Sequence, residues 1–253
     1  MRRAAWCNRF REFKQAYYIF LKYQFDIPKW VAKSAAIGYI IFMHIIKKSP
    51  KQWRHEKIFQ YIAAHIPHDA HIVELGPGTG IMLKKLHDTG FRHLAAADII
   101  DYVTFEEITA LGIVRHADLN IEKAPFPDQA YDLVIALQIM EHLENPSHFQ
   151  RECRRLLKPG GLLIMSVPYG HNFPSKIRFF LAGNVMRFER ANEHITFLTQ
   201  NIFRKIFLRG FTLEGVDYSP PNLHQLGIKR KLPDIELFKK FFGHNITYFL
   251  RKE

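Results

Sequence analysis

The residues of this chain whose types and order can do chemistry are four carboxylates, one glycine-rich turn and three histidines. Glu74 stands in the run His71-Ile72-Val73-Glu74-Leu75-Gly76-Pro77-Gly78-Thr79-Gly80, where an apolar stretch gives way to three alternate glycines. Glycines at such a turn let backbone approach a ligand and tolerate positive φ. In a phosphate-binding turn the helix N-terminus faces an anion, which a carboxylate at the strand end repels. A cationic ligand is attracted instead, so Glu74 points away from a pyrophosphate-binding dinucleotide site. Asp98, eighteen residues after Gly80, is placed to accept both hydroxyls of a ribose. Asp118 can accept from an amino group on a base, with Leu119 as apolar packing beside it, and Gln138 is a further polar position at a strand end. Each of these also reads, taken singly, as a turn residue. Glu141 and His142 can supply a general base for a hydroxyl, or merely order a turn. His171 and His194 fall in later segments that cover a site of this kind.

These positions require elements that hold them at one edge of a sheet. Ile72, Val73 and Leu75 read as a buried strand, and Ile81, Met82, Leu83 and Leu86 recur at helical spacing. The alternation continues as helix at 54–65, 80–88, 104–111, 147–157 and 199–208. Strands are expected at 71–76, 93–98, 113–117, 131–137, 161–167, 212–218 and 244–251, the last returning alongside its predecessor. Asn145-Pro146 is an N-cap followed by proline at the first helical position, and Lys158-Pro159-Gly160-Gly161 stops that helix. Such alternation predicts a doubly wound, Rossmann-like α/β sheet covered on both faces, with ligands at the strand ends where strand order reverses.

The 253 residues carry a net charge of +12, unevenly spread. Residues 1–57 hold thirteen Lys or Arg against Glu12, Asp26 and Glu56, so the basic character belongs to an N-terminal helical extension, residues 1–53, and not to the body at 54–253. Phe10, Phe13, Tyr17, Phe20 and Leu21 share one helical face there. The apolar run at 35–43 is shorter than a bilayer crossing. Two roles fit and can coexist: a lid over the substrate, or a helix pair lying on an anionic membrane surface. The Arg-rich start also resembles a mitochondrial presequence, although serine is scarce and no cleavage site is evident. Two cysteines give neither a disulfide framework nor a metal cluster. With no secretory signal visible, a cytoplasmic protein is expected, peripheral at a membrane if the extension lies on one.

With these residues in view, the chain resembles the class I S-adenosylmethionine-dependent methyltransferases over about residues 54–253. The matching stretches are Glu74 to Gly80, Asp98-Ile99, Ala117-Asp118-Leu119, Phe126-Pro127-Asp128 with Tyr131 to Val134, Gln138 to Leu143, and Leu157 to Gly161. The resemblance implies a seven-stranded sheet whose last strand is antiparallel, and S-adenosylmethionine as cofactor. It also implies that Glu74, Gly76, Gly78 and Gly80 hold the methionine moiety, Asp98 the ribose, and Asp118 and Leu119 the adenine; Gln138, after the fourth strand, is counted with them as a cofactor-binding residue. A sulfonium-bearing, ammonium-bearing ligand agrees with the charge of Glu74. Some quinone and RNA-end O-methyltransferases carry Glu-x-x-Glu-His at this place and bind a divalent metal. Gln138 occupies the first of those positions here, so no metal is expected.

The acceptor is less defined. No Asn/Asp-Pro-Pro-aromatic sequence occurs at 136–142 for base methylation, and no cysteine stands there for attack on a pyrimidine. Phe173, Phe179, Phe180, Phe188, Phe197 and Phe203 favour an apolar or ring-bearing acceptor, and Lys176, Arg178 and residues 227–231 add basic charge. The reading is O-methylation of a small or lipid-linked acceptor, with Glu141, His142 and His194 as catalytic candidates. An RNA-directed enzyme, for which nucleic acid is the less favoured partner, and a cofactor-binding protein without transferase activity are the alternatives.

Overall fold

The computed structural model describes residues 51–100, 103–188, 193–219 and 236–253. The N-terminal segment carrying the amphipathic, membrane, lid and targeting readings lies outside the described residues, as does the basic stretch 227–231.

Helix α1 (Lys51–His65) leads into β1 (Ile72–Leu75), α2 (Ile81–Asp88), β2 (Leu94–Asp98), a single turn α3 (Glu106–Thr109) and β3 (Val114–His116). Then come β4 (Tyr131–Leu137), a 3-10 turn at Met140–His142, α4 (Pro146–Leu156), β5 (Leu157–Pro168) and α5 (Phe173–Ala182). The chain ends with α6 (Gln200–Phe207), β6 (Phe211–Tyr218), α7 (Glu236–Phe242) and β7 (Asn245–Lys252). The seven strands lie in the order β3-β2-β1-β4-β5-β7-β6. β1 pairs in parallel with β2 and β4, and β7 runs antiparallel between β5 and β6. The strand order reverses between β1 and β4. That is the crevice where a doubly wound sheet binds ligand, outside the carboxyl ends of its strands.

Period-two alternation divides the core between the two faces. Ile72, Leu133, Ile135, Leu162 and Ile164 pack against Ile58 and Ile62 of α1 and against Met82, Leu83 and Leu86 of α2. Val73, Leu75, Val134, Leu163 and Met165 pack against Phe149, Cys153 and Leu156 of α4 and Phe203 and Phe207 of α6. Glu74 has the parity of Ile72 and so points toward the first turn of α2.

Two punctuation signals act as their chemistry dictates. The Asn145 side chain accepts from the His148 N–H at 3.0 Å with Pro146 opening α4. The helix stops at Leu156, and Leu157 already pairs with Tyr131 of β4. The helix expected at 104–111 shrinks to one turn. Its N-cap is Phe105, which offers no side-chain cap, and Gly112 turns the chain out with φ +58°. The 3-10 turn, α5 and α7 are additions that the sequence pattern does not announce.

Candidate functional site

The glycine turn follows β1 as expected. Gly76, Gly78 and Gly80 take φ of 71°, 53° and 80°, all in the left-handed region. Gly76 and Gly78 are glycine for different reasons. A Cβ on Gly76 would stand 2.8 Å from Ile139 Cδ1, so the turn packs directly on the loop after β4. A Cβ on Gly78 meets nothing within 4 Å and would project into open space beside the turn.

Beneath this turn Glu74 is buried, 2% exposed, and its Oε2 has no hydrogen-bond partner among the described residues. Burial pushes its carboxyl up to about 8, opposed by a hydrogen bond from the Leu83 N–H of α2 and reinforced by the nearby Asp98. An acid so placed lacks a counter-charge. Asp98 ends β2, half-buried, and its Oδ1 accepts from the Ile100 N–H at 3.4 Å. Asp118 follows β3. Its Oδ1 accepts from the Asn120 N–H at 2.9 Å, so one carboxylate oxygen orders the turn. Leu119 beside it is buried.

A second cluster lies across Ile139. Gln138 and Arg187 are both non-glycine residues with positive φ, 58° and 70°, and they touch each other. Arg187 Nη2 donates to Gln138 Oε1 at 3.1 Å, and its Nη1 donates to Asn245 Oδ1. Residues other than glycine are held in this region only where their surroundings enforce it, and such positions gather at functional sites. Gln138 Nε2 also reaches Ser166 Oγ at 3.5 Å, so the structure gives its amide protein partners on both sides.

The 3-10 turn presents Glu141, 1% exposed, and His142. The Ile195 and Thr196 N–H groups both donate to the Glu141 carbonyl, at 2.8 and 3.0 Å. That clasp brings His194 across more than fifty residues of sequence, its Nε2 4.0 Å from Glu141 Oε1 and its ring 4.8 Å from that of His142. One donor atom from each of the three lies within 4.8 Å of the others, close enough to share a cation. The expectation of no metal rested on Gln138; His194 supplies a third donor without it. Burial, then Arg187 and His142, hold His194 down to about 4, so at neutral pH its imidazole is uncharged and keeps a lone pair.

Past β5, aromatic rings form a wall. His171 lies 5.3 Å from Phe197, and Phe188 lies 5.1 Å from Phe197 and 5.6 Å from His194. Gly170 admits this packing, because a Cβ there would sit 2.2 Å from the Phe197 ring. The expected aromatic grouping is corrected in part. Phe188 and Phe197 flank the site, Phe203 is core, and Phe173, Phe179 and Phe180 are exposed on α5. Arg187 is the site residue that sequence reasoning missed, since its φ and its partners, Gln138 just past β4 and Asn245 of β7, leave no local signal.

Residues 73–165, which contain the glycine turn, Asp98, Asp118 and Glu141, match the family model described as a methyltransferase domain. A probable S-adenosylmethionine-dependent methyltransferase of Mycolicibacterium smegmatis is 31% identical over 123 residues, covering 46% of this chain and 44% of the relative. The ubiquinone biosynthesis O-methyltransferase of Maricaulis maris is 36% identical over 101 residues, 37% of this chain and 38% of the relative. A solved S-adenosylmethionine-dependent methyltransferase from Mesorhizobium loti superposes with a TM-score of 0.54 at 19% identity, covering 76% of this chain and 96% of that one. Residues 73–165 thus match a methyltransferase domain, and the likeness to the solved structure shows the same Rossmann-like fold. The chain spans less than half the length of the curated relatives it matches first.

The cofactor that the matched methyltransferase domain implies is S-adenosylmethionine, and the residues present fit it. Glu74 is a buried acid with an unanswered oxygen, suited to a cationic group. The space beside Gly78 is one that a methyl side chain would fill. Among the described residues, no helix is long and apolar enough to cross a membrane.

Proposed function

We propose that the protein transfers a methyl group from S-adenosylmethionine to a hydroxyl oxygen of a small or lipid-linked acceptor. The observation that carries this reading is the uncharged His194 clasped against Glu141 and His142, one loop away from the buried acid under the glycine turn. Glu74 and the turn would hold the methionine end, Asp98 the ribose, and Asp118 with Leu119 the adenine. Gln138 would help to hold the cofactor, and it also fixes Arg187, which adds to burial in keeping His194 unprotonated. The bound cofactor supplies an already activated methyl on a sulfonium, so the protein need only align the acceptor and exclude water. His194 accepts the hydroxyl proton as the oxygen gains its new bond, and Glu141 steadies the imidazolium that results. The aromatic wall of Phe188 and Phe197 suits an apolar or ring-bearing acceptor, and a ubiquinone biosynthesis O-methyltransferase among the relatives is in keeping with a phenolic one.

The test is calorimetry with S-adenosylmethionine and its demethylated product, followed by mass spectrometry of a phenol, quinol and lipid-linked hydroxyl panel for a gain of one methylene. His194→Ala should leave cofactor binding intact and lower turnover about a hundredfold. Turnover should survive chelation, which leaves the trio in its proton-accepting role. Cofactor binding without turnover on the whole panel would favour the non-transferase reading, and no binding at all would overturn the proposal.

A further inference from the structure

His171 has no part in the methyl transfer proposed above, yet it stands on the same wall. It follows the end of β5 by three residues, and its ring lies 5.3 Å from Phe197 and 6.2 Å from Tyr169. Phe197 packs on Phe188, and Phe188 on His194, so a file of four rings joins His171 to the trio at Glu141. The backbone from His194 to Leu198 ties the same two ends. Near its start the Ile195 and Thr196 N–H groups hold the Glu141 carbonyl, and at its finish the Leu198 carbonyl accepts from the His171 ring. Both imidazoles are thus fastened to one short strap.

The Nε2 atom of His171 is buried with no hydrogen-bond partner among the described residues. A buried polar atom left unanswered is costly, and in a native fold it calls for a reason. A trapped water would need two or more polar partners, and the Phe197 ring offers none. The chemistry of the atom says what kind of ligand group would answer it. Burial, then the exposed Lys176, hold His171 below its ordinary 6.5, so the ring is neutral at pH 7 and carries a single proton. That proton is assigned to Nδ1, facing the Leu198 carbonyl, because Nε2 makes no bond. Nε2 therefore keeps a lone pair. It accepts from a hydroxyl and is repelled by a carboxylate or an ether oxygen.

We infer that His171 binds the acceptor through a second hydroxyl, so that the substrate class is a ring bearing at least two. One oxygen is methylated beside His194 while the other stays a hydroxyl and donates to His171 Nε2. The inference rests on the reading of this wall as the acceptor side. Phe188 and Phe197 would lie against the ring held between the two imidazoles, and Phe197, itself only half-buried, would give way as the second hydroxyl enters. Few polar groups are needed to fix a ligand in an apolar site, and this one sets its orientation. It also limits the reaction to one methyl. For a second transfer the first product would have to place its new ether oxygen against the His171 lone pair, where no proton is left to share.

The experiment uses the full chain. Dihydroxybenzenes and dihydroxynaphthalenes are titrated beside phenol and 2-naphthol in the presence of the demethylated cofactor product, and the same compounds are assayed for methyl transfer with S-adenosylmethionine. At least one diol should bind about tenfold tighter than its monohydroxy parent, show the same advantage in kcat/KM through KM, and stop at the monomethyl ether. His171→Phe should bring that advantage down to about one, and His171→Gln, whose amide oxygen still accepts, should recover part of it. A purely structural His171 would lower both members of each pair in proportion and leave the ratio standing, which would overturn the inference. Diols that bind no tighter than their parents, or a dimethyl ether as the main product, would overturn it as well. Methyl transfer with no advantage for any diol would sink the role of His171 alone. Diols that bind with a His171-dependent advantage and gain no methyl would support that role and count against the methyl transfer instead.

Discussion

At the scale of single residues, the consequence of burying Glu74 is a proton. With its carboxyl raised to about 8, Glu74 is mostly protonated at pH 7 in the free protein. A cationic ligand group favours the ionised form, so binding S-adenosylmethionine should expel that proton. Calorimetry in two buffers of different ionisation enthalpy should therefore report release of close to one proton at pH 7, falling toward none above pH 8. Affinity should rise with pH up to about 8 and then level off. Glu74→Gln should bind more weakly and release none. Equal heats in both buffers would show that the cation does not sit on this acid. Arg187 offers a second reading at this scale. After burial it is the largest cause of the lowered His194 value. The pH dependence of kcat/KM should thus lack an inflection near 6.5, and Arg187→Gln should move the acid limb up from about 4 toward that ordinary value. A purely structural Arg187 would lower activity with no movement of that limb.

Among elements, Asn172 joins three. Its Oδ1 caps α5 by accepting from the Ser175 N–H at 2.8 Å, while its Nδ2 donates to the carbonyls of Tyr169 and Gly243 at 2.9 and 2.6 Å. All this happens at 2% exposure, so removal leaves buried backbone groups unanswered. Asn172→Ala should cost about 3 kcal/mol in urea unfolding, the sum of a lost cap and of carbonyls deprived of their donor. Asn172→Asp keeps the cap and loses both donations, so it should recover only part of the loss. The same neighbourhood shows why some elements were legible in the sequence and others were not. The strands and α2, α4 and α6 turn apolar residues to the core, so periodicity announces them. α5 leaves Phe173, Phe179 and Phe180 exposed and α7 leaves Leu237 and Phe241 exposed, so the pattern that normally marks a helix against its own sheet was absent. Likewise Glu74 and the glycines were readable because their chemistry is local. The approach of His194 to Glu141 depends on two backbone hydrogen bonds across a long loop, and the left-handed Gln138 and Arg187 depend on tertiary enforcement. None of these has a sequence period.

For the molecule as a whole, Glu74 and His194 make opposite demands on stability. Glu74 has a folded value near 8 against an ordinary 4.5, so between those pH values the native state holds a proton that the unfolded chain has released, and stability falls as pH rises. His194 has a folded value near 4 against 6.5, so between those values the unfolded chain holds the extra proton, and stability rises with pH. Half-buried His171 is also lowered and acts in the same sense as His194. The carboxylates held below their ordinary values, such as Glu214 beside Arg251, act only at more acid pH. The terms therefore oppose from about pH 4.5 to 6.5, and Glu74 acts alone above that. Stability of the cofactor-free protein should be nearly level across the lower range and then decline by about 2 kcal/mol between pH 6.5 and 8, at roughly 1.4 kcal/mol per unit. Glu74→Gln should convert that decline to a plateau and leave a rise below pH 6.5, whereas His194→Gln should steepen the loss from pH 4.5 onward. Saturating S-adenosylmethionine should cancel the decline above 6.5, since Glu74 is then ionised in the native state as well. A wild-type stability curve that climbs from pH 6.5 to 8 without cofactor would mean that Glu74 is already ionised in the fold, and would remove the electrostatic basis for its holding a cation.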